Sequence, residues 1–146
     1  MLDPSLVGYS YPPSEPYLVT REKIREFADA IGAADAALRD PAAARALGYA
    51  DVVAPPTFAV VVTGAGQKLA ADERLGLDFS RVVHGDQRFL HHRTVVAGDR
   101  LSCVTTIESI TSRGGHEFLT TRGELTDADG APVVTVWSML VVRGES

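Results

Sequence analysis

The sequence predicts an α+β fold in which helices come first and a mainly antiparallel sheet follows. Three observations carry this reading. Up to about residue 76 the apolar residues recur at helical spacing, and after Asp78 the period changes to two, in stretches rich in Val, Thr, Ile and aromatic residues. The later stretches are separated by "SRGG" and "DADG", whose glycines accept the positive φ that hairpin turns need.

Taken in order, "YSYPPSEPY" predicts an extended lead-in, because Pro fixes its own φ and restricts the residue before it. A first helix then begins, with Thr20 as N-cap and Glu22 in the first turn. Ile24, Phe27, Ala28 and Ile31 fall at i, i+3, i+4 and i+7, one apolar stripe, and Gly32 ends the helix. Asp40 and Pro41 read as the N-cap and first position of a short second helix running to Gly48. "APPTFAVVVTGAGQKLAADERLG" predicts a long, mostly buried third helix opening at the double proline, with Phe58, Val61, Val62, Ala65 and Leu69 along one side. The three valines favour strand locally, and Gly64 and Gly66 each cost a helix about 1 kcal/mol, so this reading rests on length and on the prolines. Four strands are predicted at roughly 81–93, 100–112, 115–126 and 132–143. No repeat, low-complexity tract or linker interrupts the chain, and one domain over 1–146 is expected.

Composition excludes several classes of function. The chain has 146 residues, 45% hydrophobic and 23% charged, enough for a real core. A net charge of -5 with scattered Lys and Arg forms no basic stripe, so nucleic acid is not an expected partner. The single Cys, Cys103, permits no intrachain disulfide, no set of residues has the spacing of a zinc site, and no cofactor is implied. No stretch approaches the roughly 18 apolar residues of a membrane span, and the N-terminus lacks the basic start and apolar run of an export signal. A cytoplasmic location is expected.

Three stretches, "TREKIREFADAIG", "LGYADVVAPPTF" and "HGDQRFLHHRTVVAGDRL", in this order and spacing, resemble the MaoC-like hydratase/dehydratase family, in particular the N-terminal-type, substrate-holding subunit of actinobacterial (R)-3-hydroxyacyl-ACP dehydratases. The resemblance covers nearly the whole chain. It implies a hot-dog fold, an antiparallel sheet wrapped around a long central helix, and an acyl thioester, carried on ACP or CoA, as ligand. Catalytic members of the family have Gly-Asp-x-Asn-Pro-x-His after the first helix and a Gly at the start of the buried helix. Dehydrating a 3-hydroxyacyl thioester needs a group to take the C2 proton, a group to protonate the departing hydroxyl and a donor for the charge growing on the carbonyl oxygen. Laid onto this chain from Gly32, the family Asp falls on Ala33, the Asn on Asp35, the Pro on Ala36 and the His on Leu38. The family Gly falls on Pro56, which has no N–H to donate. The resemblance therefore implies a subunit without its own acid/base groups, supplying half of an acyl pocket to a homologous hot-dog partner that carries them, or pairing with itself.

Phe58, Val61, Val62, Ala65 and Gln87 are the candidate acyl-pocket residues. Asp35, Asp86 and His91 are the weaker candidates for catalysis: Asp35 in an Ala-rich turn is the type of residue that caps a backbone, and of His91 and His92, adjacent on a strand, only one faces a given pocket. Asp86 and Gln87 face opposite sides for the same reason. "VAGDR" reads as a tight turn into the next strand, Cys103 as an inert buried thiol and Trp137 as core or interface. Two other readings stay open: a homodimeric hot-dog thioesterase using Asp35 or Asp86 to activate water, and a non-enzymatic acyl-binding protein.

Overall fold

A computed structural model describes residues 1–144. Helix α1 (Arg21–Ala30) starts where the Thr20 hydroxyl accepts the Lys23 amide, and it buries Ile24 and Ala28. Phe27 packs edge-on against Phe58, with ring centroids 5.5 Å apart. Ile31 departs from the expected stripe: the helix ends one residue earlier, and this side chain is 50% exposed at the cap. A 3-10 turn at Ala36–Leu38 leads to helix α2 (Pro41–Ala46), where the Asp40 carboxylate accepts the Ala42 amide.

The predicted third helix is broken. The double proline opens a run of tight turns, in which the amides of Phe58, Val60, Val61 and Val62 each reach back three residues. Helix α3 covers only Val60–Thr63 and helix α4 covers Ala65–Ala71. Between them Gly64 is left-handed, with φ of 53°, and the Thr63 hydroxyl donates to the Val60 carbonyl. The break has a counterpart in the core. Val62 of α3 belongs to a cluster with Val19, Ile24, Val52, Phe58, Leu101, Leu125 and Val134, whereas Leu69 of α4 belongs to one with Leu2, Leu6, Tyr11, Leu75, Ile107 and Leu119. A reoriented helix axis lets each half press its own large residue onto its own cluster.

The strands match expectation closely. Strand β1 is Tyr17–Leu18, β2 is Val82–His91, β3 is Arg100–Arg113, β4 is His116–Thr126 and β5 is Pro132–Val142. All pair antiparallel in the order β1-β3-β4-β5-β2. Gly114 and Gly115 both have positive φ, as the two-residue turn joining β3 to β4 requires. On the face toward the helices stand Leu101, Cys103, Thr105 and Ile107 of β3 and Leu119, Thr121, Gly123 and Leu125 of β4, all buried. Gly123 lets α3 approach: a Cβ there would lie 3.5 Å from Thr63 Cγ2 and 3.3 Å from Cys103 Sγ. Burial pushes the Cys103 thiol up, which keeps it in the unreactive form. This sheet, curled over a helical layer, is the hot-dog architecture.

Candidate functional site

A cavity of about 720 Å³ lies at the α1–α2 end of the molecule. Three stretches wall it. The first is the 3-10 turn with Asp35, Ala36 and Leu38, continued by Ala43, Ala46 and Leu47 of and beyond α2. The second runs from Tyr49 through Val53, Ala54, Pro55 and Pro56 to Ala59. The third is His91 at the end of β2 with Thr94 and Val95. Backbone bonds tie the walls in series: the Val53 amide donates to the Ala37 carbonyl at 3.0 Å, and the Ala54 amide donates to the Val95 carbonyl at 2.9 Å.

Side chains brace this arrangement from outside. Arg21 of α1 makes two 2.8 Å bonds to Asp51, and with the Val52 amide it pulls the Asp51 carboxyl down to about 2. Arg39 donates to Asp29 of α1 and to the Ala33 carbonyl. The alanine-rich segment thus keeps its path through bonds at its edges, while Ala36 and Ala37 face the cavity.

Of the positions onto which the sequence resemblance lays the family's reacting groups, Leu38 and Pro56 line the cavity, one apolar and the other without an N–H. Ala33 does not line it. Asp35 and His91 do, and with Tyr49 they are the titratable side chains on its walls. Asp35 caps no helix with its carboxylate, and the His91 ring stacks on Phe89 with centroids 6.1 Å apart. Asp86 is elsewhere. A bulge at Gly85 puts His84, Gln87, Phe89 and His91 on the helix-facing side of β2, while Asp86 and Arg88 point to the opposite face, 3.9 Å apart, and Arg88 covers the Trp137 ring.

None of the five acyl-pocket candidates lines this cavity. Phe58 and Val62 are core residues, because the turns after the double proline swing them toward the sheet and present Pro55, Pro56 and Ala59 to the cavity instead. Val61 packs at the margin of the same cluster, and Ala65 starts α4 beyond the break. The Gln87 amide is engaged: its Nε2 donates to the Trp137 carbonyl at 2.9 Å, and its Oε1 accepts from Ser138 Oγ at 2.9 Å and from His84 Nε2 at 3.0 Å. The wall residues that sequence reasoning passed over, Ala43, Ala46, Tyr49 and Thr94, lie within or beside the quoted stretches. What they lacked was a periodicity that would have marked them.

Among the described residues no group of three or more His, Cys, Asp or Glu is placed to hold a metal ion, and no helix is long and apolar enough to cross a membrane.

UPF0336 protein SCO4636 of Streptomyces coelicolor is 57% identical over 144 residues, covering 97% of this chain and 95% of its own. Among solved structures, a chain of the C-terminally truncated HadBC (3R-hydroxyacyl-ACP dehydratase) complex of Mycobacterium tuberculosis superposes with a TM-score of 0.79 at 33% identity, over 93% of this chain and 96% of that one. A MaoC-like dehydratase superposes with a TM-score of 0.86 at 31% identity over 96% of this chain, which spans 43% of that longer one. The model of the FAS1-like, dehydratase domain region matches residues 5–136, and the chain belongs to this family of MaoC-like, hot-dog dehydratase domains.

Proposed function

We propose that this chain is the acyl-thioester-binding subunit of an (R)-3-hydroxyacyl thioester dehydratase, with proton transfer performed by a homologous hot-dog partner. The observation that carries the reading is the cavity itself: it has the room and the apolar walls for an acyl chain, while Leu38 and Pro56 stand where catalytic relatives place an imidazole and a backbone donor. The 33% identity to a chain of a 3R-hydroxyacyl-ACP dehydratase complex supports it, as does the outer edge of β2, which no strand among the described residues pairs. In the reaction the partner takes the C2 proton and returns it to the departing hydroxyl as water forms. This chain holds the alkyl tail and fixes the thioester near those groups.

The test is co-expression with a hot-dog protein that retains the Asp and His, followed by hydration of trans-2-enoyl thioesters. The expected result is turnover by the pair and none by this chain alone. Rapid turnover by the isolated chain overturns the reading. Ala46→Trp, which fills the cavity, should act selectively. Each buried methylene contributes about 0.8 kcal/mol, so obstructing four carbons weakens long-chain binding by roughly 3 kcal/mol, above a hundredfold, with short substrates spared.

A second reading draws on Asp35 and His91 lining one cavity: a self-sufficient thioesterase in which one of them activates water against the thioester carbonyl and the thiol leaves. Hydrolysis of acyl-CoA by the chain alone, lost in Asp35→Ala or His91→Ala, distinguishes it.

A further inference from the structure

The stretch "HRTVVAGD" between β2 and β3 makes a turn, but its hydrogen bonds reach further than a turn needs. Arg93 Nη1 donates to Asp99 Oδ2 at 2.8 Å and to the Thr94 carbonyl at 3.1 Å, and its Nη2 donates to Asp99 Oδ1 at 3.1 Å and to Asp127 Oδ2 at 3.3 Å. Asp99 also accepts the Val96 amide at 3.0 Å. Asp127 belongs to the β4–β5 turn and accepts the amides of Asp129 and Ala131. One guanidinium therefore closes the loop on itself and pins it to a separate turn. Within the closed loop lie Thr94 and Val95, which line the cavity. From Val95 and Ala97 two backbone bonds lead to Ala54 and Val52, so the second wall hangs from the third.

We propose that Arg93, held by Asp99 and Asp127, is a positioning residue for the acyl-thioester cavity: it sets where the Thr94–Val95 wall stands and, through it, the 52–54 wall. The inference rests on the reading of the cavity as an acyl-thioester site. Stability alone does not account for the arrangement, because Arg93 is 37% exposed and ion pairs of that exposure contribute little. Geometry does account for it. A planar fork reaches both Asp99 oxygens and a second carboxylate, that of Asp127, at once, which a lysine ammonium on a flexible stem does not reproduce.

The test uses the assembled complex and a long-chain alkyl thioether of pantetheine as the probe. Arg93→Met is expected to weaken its binding about tenfold, with kcat on a short enoyl thioester within about twofold. Arg93→Lys is expected to recover only part of the loss. Asp99→Asn should match Arg93→Met, and the double variant should be no worse than either, as for residues acting as one unit. Unchanged probe affinity in Arg93→Met, or full recovery in Arg93→Lys, overturns the proposal. So does a loss of binding and kcat in equal proportion with a lowered Tm, which marks a plain structural staple; if Arg93→Met does not fold, Asp99→Asn and Arg93→Lys give the same decision. Ala46→Trp separates the two readings. If it shifts chain-length preference while Arg93→Met leaves probe affinity unchanged, only this inference falls. If the wild-type complex does not bind the probe, the functional reading falls and takes the inference with it.

Discussion

The two edges of the sheet are treated in opposite ways. Along β3 the chain covers its own edge: Gly8 donates to the Ile107 carbonyl at 2.7 Å, Tyr11 to the Thr105 carbonyl at 2.8 Å and Ser14 to the Cys103 carbonyl at 2.9 Å, before β1 takes over at Leu101 and Arg100. Pro12, Pro13 and Pro16 in this arm have no N–H to offer a further strand, so the sheet stops there. On the other side β2 is ten residues long, and among the described residues nothing pairs with its outer edge. A long free edge is a template for another strand. The difference teaches that this chain has one direction left open for association, and we place the proposed hot-dog partner there. The cavity wall residue His91 stands at the end of that same strand, so the two proposals share a boundary.

The comparison is broken most severely by deleting residues 1–16. Leu2, Leu6 and Tyr11 leave the core and the β3 edge is bared, so a loss on the order of 5 kcal/mol is expected, with aggregation through the second edge. Denaturant titration and light scattering measure both. An unchanged midpoint would make the arm dispensable. Next in size is Gly85→Val at the bulge of β2, where an added Cβ would stand 2.8 Å from Met139 Cε and 3.0 Å from Val141 Cγ2. The expected cost is about 1 to 3 kcal/mol, together with weaker association, because the bulge shapes the free edge itself. A melting curve and sedimentation velocity on one sample read the two effects.

Smaller, and more selective, is a charge on each edge. Leu90→Lys on β2 is expected to weaken association about tenfold while leaving stability within about 0.5 kcal/mol, because Leu90 is already 51% exposed. Val7→Lys, on the arm and exposed to a similar degree, should change neither. Equal effects from both substitutions would contradict the asymmetry. The smallest effect concerns how the arm is held. Tyr11 donates its hydroxyl to Asp72 at 2.9 Å, and Arg74 grips the same carboxylate while lying over the Tyr9 ring. Arg74 chiefly, then Tyr11, pulls the Asp72 carboxyl from its ordinary 3.8 to about 2. A depressed carboxyl stabilises the fold fully above its unfolded value and loses that contribution as pH falls through its folded value. The window is therefore pH 4 down to 2. Asp72→Asn should flatten the dependence of Tm on pH there, and a parallel slope in both proteins would show that the grip is without consequence.

Much of this was legible in the residues alone. Thr20, Asp40 and the 3.6 period of Ile24 and Ala28 announced α1 and α2, and the period of two with "SRGG" and "DADG" located all four long strands to within two residues. These signals are local: a cap, a stripe and a turn act within a few residues, so the chain specifies them before it folds. The long third helix was misread for the opposite reason. Its turns, the left-handed Gly64 and the reorientation of Val62 and Leu69 answer to two core clusters built from residues distant in sequence, and no window of the chain contains them. The site divides the same way. That residues 38 and 56 are a Leu and a Pro was plain in the sequence, but that both line one cavity was not. That Asp35 and His91 share a cavity, that Asp86 does not, and that Arg93 ties Asp99 to Asp127 were decided only when β2, the 93–99 loop and the β4–β5 turn met in space. Side chains 34 to 56 residues apart are brought together by sheet register and loop closure, and those are properties of the whole packed chain.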